Sequence, residues 1–262
     1  MKNADIVDFR SVDRKKLMNF LMDQMPKSVY LLGDLESNGT NFTMFTALDN
    51  GEIRGVVCYF WGIPGTGIIW ILGNEKTVAK FIDGLENETF VILIPVSSER
   101  KIRERFRNII SYQEYIMECT KTDSDARTEN CRILGIDDVD QWGFLKTERT
   151  NFSREEKDQF VKNLKDQTCF GMFENGSLVS GAVIEAETRD LVVIGSVKTL
   201  SNHRNRGYAT SLVGHIMHHY LEIGKKGYLF VRKDNIPAIR AYVKASFTIV
   251  DEILISYNGI KP

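Results

Sequence analysis

The chain has 262 residues, 43% of them apolar, and a formal charge of −1 at neutral pH. That length supplies one large core or two modest ones, and the balanced charge leaves no global field to draw in nucleic acid or an anionic membrane. No run nears the roughly 18 apolar residues of a membrane-spanning helix, and the opening MKNADIVDFRSVDRKK lacks a signal peptide's apolar core.

In chain order, residues 12–25 read as a helix, with Leu17, Phe20, Leu21 and Met25 at three- and four-residue spacing. NFTMFTAL and IRGVVCYFW read as strands joined at the hairpin signal Asn50-Gly51. GIIWIL is a third strand, entered through GIPGTG. EKTVAKFIDGL follows as a helix, TFVILIPV as a buried strand, SERKIRERF as a charged helix with Ser98 as its cap, and YQEYIMECT as a closing strand. The polar stretch KTDSDARTEN, residues 121–130, holds no large apolar residue and predicts a boundary. It divides the chain into domains at 1–122 and 128–262.

Beyond it, CRILGI reads as a strand and SREEKDQFVKNL as a helix with a capping box, Ser153 and Glu156. CFGMFENGSLVSGAVIEAE is a hairpin turning at Asn175-Gly176, and LVVIGSVKT is another strand. GYATSLVGHIMHHYLEIG carries Ala209, Leu212, Val213, Ile216, Met217 and Tyr220 on one face, with Gly224 as its stop. GYLFV is a strand, IPAIRAYVKA a helix with Pro237 in its first turn, and FTIVDEILISY the closing strands. The two halves share a similar order of elements, which points to an ancient duplication. The four cysteines (Cys58, Cys119, Cys131 and Cys169) are far apart, which predicts buried thiols in a reduced, cytoplasmic setting.

The turn HRNRGYATS joins a strand to a helix. A helix N-terminus offers free amides and a partial positive charge, Gly207 permits close approach, and arginines add charge-assisted bonds. Taken alone, this fits a solvated turn as well as an anion site. NIPAIRAYVKASF follows, beginning 28 residues after Gly207. Together these segments resemble the GNAT acetyltransferase superfamily. Its loop Arg/Gln-x-x-Gly-x-Gly/Ala is matched by Arg204, Gly207 and Ala209. Its Asn-x-x-Ala-x-x-x-Tyr-x-x-x-Gly-Phe is matched by Asn235, Ala238, Tyr242 and Phe247, with Ser246 in the glycine's place. The resemblance covers about residues 131–257, and VKTLSNHRNRGYATSLV looks most like the branch that includes glycine N-acyltransferases.

The resemblance implies an α/β fold with a mixed central sheet flanked by helices. The first half, read as GNAT-like from its order of elements alone, contains no Arg-x-x-Gly-x-Gly/Ala loop and on that reading would be a degenerate half that has lost coenzyme binding. The resemblance also implies acetyl-CoA as co-substrate and, as acceptor, the amine of a small molecule or peptide. The backbone of Val197, Lys198 and Thr199 would pair with the pantetheine arm. The amides of Asn205, Arg206, Gly207, Tyr208, Ala209 and Thr210 would cradle the pyrophosphate, assisted by the Arg204 and Arg206 side chains. Asn235 would reach the pantetheine from the other side, a backbone N–H near Val197 would hold the oxyanion, and Tyr242 would be the donor to the departing thiolate unless it is only packing.

An amine with a pKa of about 10 must first lose a proton. LVVIGSVKT holds no carboxylate. Glu185 and Glu187, on the neighbouring strand and on one face by alternation, are the candidate bases, beside a water relay or a plain solvent-facing role. The missing strand glutamate also leaves open a second class, a module that binds acyl-CoA without turnover. His215, His218 and His219 lack a carboxylate at ligand spacing, so no metal is expected. GIPGTG lacks the Lys-Ser/Thr of a phosphate loop. The aromatics of YFWG and IIWIL have no basic residues among them, which argues against nucleic acid.

Overall fold

The structure is a computed structural model that describes residues 5–37, 41–63, 66–86, 89–122 and 129–260. The chain folds as two compact units, Met1–Ile116 with Val250–Pro262, and Met117–Ile249. The expected linker lies, from 123 to 128, outside the described residues, as do positions 64 and 65 of GIPGTG.

The first unit runs β1 (Asp5–Asp8), α1 (Arg14–Asp23), α2 (Val29–Glu36), β2 (Phe42–Asp49), β3 (Glu52–Ile63), β4 (Thr66–Gly73), α3 (Glu75–Asp83), β5 (Phe90–Ile94), α4 (Glu99–Arg105) and most of β6 (Ile110–Cys119). Strands β1 to β5 stand in sequence order in its sheet, and β4 and β5 are parallel. Their inner face closes over Ile71, Ile82, Ile92, Ile94 and Ile102, all fully buried. The β2–β3 turn has positive φ at Asn50 (53°) and Gly51 (76°), the type I′ pair that matches strand twist. Ser98 stands at the N-cap of α4, and its side chain makes no cap bond.

The second unit holds β7 (Cys131–Ile133), α5 (Val139–Thr147), α6 (Arg154–Asp166), β8 (Cys169–Glu174), β9 (Ser177–Glu187), β10 (Leu191–Thr199), α7 (Tyr208–Glu222), β11 (Lys226–Arg232) and α8 (Ile236–Lys244). Its strand order is β11-β10-β9-β8-β7. The capping box forms: Ser153 Oγ accepts from the Glu156 N–H at 3.1 Å, and Glu156 Oε2 accepts from the Ser153 N–H at 2.8 Å. Residues Leu178 to Ile184 of β9 are buried without alternation, because helices cover both faces of the sheet. α5 and α6 pack around Trp142 and Leu145 on one of them.

Three differences from the sequence reading have physical causes. The last strand, β12 (Thr248–Asn258), reads as part of the second half, yet from Val250 it belongs to the first unit. There it pairs antiparallel with β5, from Leu254↔Ile94 to Asn258↔Phe90. α2 has no amphipathic stripe, because Val29, Leu31, Leu32, Gly33 and Leu35 are all buried. α5, to which the sequence reading assigns no element, carries a mid-helix glycine. A Cβ on Gly143 would meet the Phe160 ring at 2.8 Å and Phe152 at 2.9 Å, so the glycine lets α6 approach.

Candidate active site

β10 and β11 pair in parallel only at Leu191↔Lys226, Val192↔Gly227 and Val193↔Tyr228. Beyond Val193, β10 stays registered with β9. The two parallel strands therefore part, and beside the free end of β10 opens a cleft of about 720 Å³. Its walls are Val197, Lys198 and Thr199 of β10; the loop and first turn of α7 (His203, Arg204, Asn205, Gly207, Tyr208, Ala209 and Thr210); and α8 with its cap, from Asn235 through Arg240 and Tyr242 to Lys244.

The free end of β10 is shaped by a bulge. Gly195 pairs with Val183 and Lys198 with Gly181, leaving one extra residue on β10, and Ser196 takes φ 51°. Such bulges re-aim a strand's groups. Here the displaced peptide is Ser196–Val197, at the edge of the cleft.

The mouth of α7 is an open set of donors. Gly207, its N-cap, has φ 87° and no side chain caps the helix. The first intrahelical bond runs from the Ser211 N–H to the Gly207 carbonyl at 3.0 Å. The amides of Tyr208, Ala209 and Thr210 thus have no acceptor within the helix. A Cβ on Gly207 would meet nothing within 4 Å. The corresponding turn of the first unit is closed: Asn74 alone joins β4 to α3, and its Oδ1 accepts from the Thr77 N–H at 2.9 Å.

Among the charges, Arg206 departs from its expected place. It is absent from the cleft wall, and its Nη2 donates to Glu174 Oε1 at 2.6 Å. The Tyr208 hydroxyl donates to the same carboxylate, and His203 Nε2 stands 3.2 Å from it. These donors, Tyr208 first, hold the Glu174 pKa below its ordinary value. Arg204 does line the cleft; its Nε donates to the Thr199 carbonyl at 3.3 Å, and it lies 3.8 Å from Glu148. The cleft cations that make no ion pair among the described residues are Arg240 and Lys244, both exposed on α8. Thr210 Oγ1 donates to the Ala241 carbonyl at 3.2 Å, which brings that stretch of α8 against the N-terminus of α7. Sequence reasoning missed these two cations and the Glu174 hub, because motif spacing does not report which arginines are already paired.

Asn235 caps α8: its Oδ1 accepts from the Ala238 N–H at 3.3 Å, leaving its Nδ2 as the side chain's remaining polar atom. Tyr242 is buried, and burial, with the Glu185 charge adding, pushes its pKa up to about 12. The two glutamates separate. Glu185 is the extra residue of a second bulge, between Ala186↔Val193 and Ile184↔Ile194. Simple alternation therefore fails there. Glu185 Oε1 accepts from Ser196 Oγ at 3.0 Å, at the bulged end of β10. Glu187 instead accepts from Lys225 Nζ at 2.5 Å and from the Tyr220 hydroxyl at 3.4 Å; neither glutamate is part of the cleft wall.

Residues 136–247 match the acetyltransferase (GNAT) family. No curated protein matches the sequence significantly. Among solved structures, an acetyltransferase of the GNAT family from Colwellia psychrerythraea is similar over 97% of this chain and 99% of its own, at 11% identity and a TM-score of 0.59. A GCN5-related N-acetyltransferase-like protein from Streptococcus suis covers 93% and 98%, at 12% identity and a TM-score of 0.59. A tandem GNAT protein from the clavulanic acid biosynthesis pathway covers 98% and 99%, at 10% identity and a TM-score of 0.57. At these identities the likeness is one of fold. It takes in both halves of the chain, so the first unit is GNAT-like in fold, and the domain at 136–247 is that of an acyltransferase.

Proposed function

We propose that this chain, which carries an acetyltransferase (GNAT) domain at residues 136–247, transfers an acetyl or short acyl group from acetyl-CoA to a primary amine of a small molecule or peptide. The observation that carries this reading is the uncapped N-terminus of α7 opening into a cleft between parting parallel strands. Free amides at a helix start favour a pyrophosphate, and a strand edge left open on its β11 side favours an extended, amide-bearing arm.

In this reading the backbone of Val197, Lys198 and Thr199 holds the pantetheine, and the amides up to Thr210 hold the pyrophosphate. Arg240 and Lys244 supply the charge that Arg206 does not. Asn235 adds a side-chain donor. The Val197 N–H meets the oxyanion as the amine attacks. Glu185, beside the bulge, takes the amine's proton.

Tyr242 works as a hydrogen-bond donor to the departing sulfur. Burial pushes its pKa up to about 12, above that of an ordinary thiol, so the hydroxyl stays protonated. Glu185 takes the ammonium's proton before attack; the second proton, shed by the nitrogen once the C–N bond has formed, ends on the departing sulfur. The four free, buried cysteines support a reducing, cytoplasmic setting.

Free-thiol release from acetyl-CoA across a panel of primary amines tests the reading. Amine-dependent release is expected. Binding of acetyl-CoA without release for any amine would favour the non-catalytic module instead.

A further inference from the structure

Lys146 closes the last turn of α5, a helix that the sequence reading did not contain. Its Nζ donates to the Ser196 carbonyl at 3.3 Å and lies 4.3 Å from the centroid of the Trp142 ring. The return contact is shorter: Lys198 Nζ donates to the Lys146 carbonyl at 2.7 Å. Ser180 Oγ donates to the Lys198 carbonyl at 2.9 Å. The bulge is thus braced on both flanks by side chains that serve its backbone.

The Ser196 carbonyl and the Val197 N–H belong to one peptide group. A donor on the carbonyl drives electron density from nitrogen to oxygen and makes the N–H a stronger donor. A cationic donor does so more than a neutral one. We infer that Lys146 is a positioning residue of the acyl-transfer site: its ammonium polarises the Ser196–Val197 peptide and so strengthens the Val197 N–H that receives the oxyanion. This rests on the functional reading above, in which that amide faces the reacting carbonyl.

The charged and titratable groups around the ammonium are Glu185 on β9, Lys198 on β10, and Cys169 on β8, with Glu148 3.9 Å from Lys198. Burial lowers the Lys146 pKa, Lys198 adds to that, and Cys169 and Glu185 oppose it. The ammonium therefore loses its proton at a lower pH than an ordinary lysine, and the polarisation fades with it.

Acetyl transfer to hydroxylamine tests the inference, because this nucleophile is unprotonated at neutral pH and bypasses the base. A C–N bond forms, the C–S bond breaks, and the nitrogen's proton ends on the thiol. Lys146→Met is expected to lower kcat about three- to tenfold and to leave the KM for acetyl-CoA within about twofold, as a loss confined to the transition state does. Lys146→Arg keeps most of kcat. In the unaltered protein kcat falls at alkaline pH, and in Lys146→Arg that fall is absent.

The Val197 amide proton resonance of the ligand-free protein moves upfield in Lys146→Met and stays in Lys146→Arg. A Lys146→Met protein with unaltered kcat, an alkaline limb that persists in Lys146→Arg, or an unmoved Val197 resonance would each overturn the inference. Absence of any turnover in the unaltered protein would instead refute the functional reading. The resonance, which needs no substrate, would still decide the polarisation.

Discussion

Gly195→Ala puts the placement of Glu185 to a direct test. A Cβ on Gly195 would stand 2.0 Å from Glu185 Cδ and 2.1 and 2.2 Å from its carboxylate oxygens, where real contacts of this kind stay beyond 3.0 Å. The obstacle is the far end of a flexible side chain, so the fold absorbs the methyl while the carboxylate retreats by about 1 Å and loses Ser196 Oγ. A misplacement of about 1 Å costs a catalytic group on the order of 100-fold, or ~2.7 kcal/mol of barrier. The assay is kcat/KM with the best amine of the panel, set beside hydroxylamine. We expect about a 100-fold loss with the amine, little change with hydroxylamine, and a nearly unchanged Tm. Because the effect acts through one side chain, adding Glu185→Gln should cause little further loss. Full amine activity in Gly195→Ala, or losses that simply multiply in the double variant, would refute the reasoning.

Tyr242→Phe should lower kcat about tenfold, ~1.4 kcal/mol, with the acetyl-CoA Kd held; equal kcat in steady-state assays would make Tyr242 packing only. Replacing Arg240 and Lys244 with alanine should weaken CoA about tenfold in titration calorimetry and flatten its salt dependence. Arg206→Ala should do less, and the reverse ranking would return the charge to the loop. Asp34 on α2 has its pKa raised from 3.8 to about 6 by burial. The folded state therefore holds its proton to higher pH than the unfolded chain, and stability falls as pH rises from about 4 to about 6, by at most ~3 kcal/mol. Asp34→Asn should remove that fall in urea unfolding curves and be the more stable protein at pH 7; a stability that rises over this window by the same amount would contradict the burial argument.

Turn and cap chemistry was the most legible layer of the sequence. Asn50-Gly51, Asn175-Gly176 and the Ser153/Glu156 box depend only on neighbours in the chain, and each takes its expected geometry. The cleft wall was legible for a similar reason, since Gly207 and the first turn of α7 lie within one short segment. What failed depended on partners far away. Arg206 is claimed by Glu174, 32 residues upstream. Glu185 and Glu187 diverge because a single extra residue enters the β9–β10 ladder, and nothing in IEAE announces it. No element is read over α5 from the sequence, and its mid-helix Gly143 is accounted for only by the Phe160 and Phe152 rings set against it. Ser246, in the family's glycine position, takes φ 68°, and the Phe247 N–H still closes on the Tyr242 carbonyl at 3.0 Å. The turn that ends α8 thus survives the exchange, at a backbone cost of about 1 kcal/mol.

Calorimetric titration of acetyl-CoA into the unaltered protein and into Gly207→Glu tests the central claim most directly. The glutamate would project into the open space before the free amides of α7 and repel an anion there, and its positive φ adds only ~1–2 kcal/mol of strain. We predict one site per chain in the unaltered protein, since Asn74 already caps the corresponding helix of the first unit, and binding weakened beyond detection in a folded Gly207→Glu. No binding to the unaltered protein, or equal affinity in the two, would contradict the account.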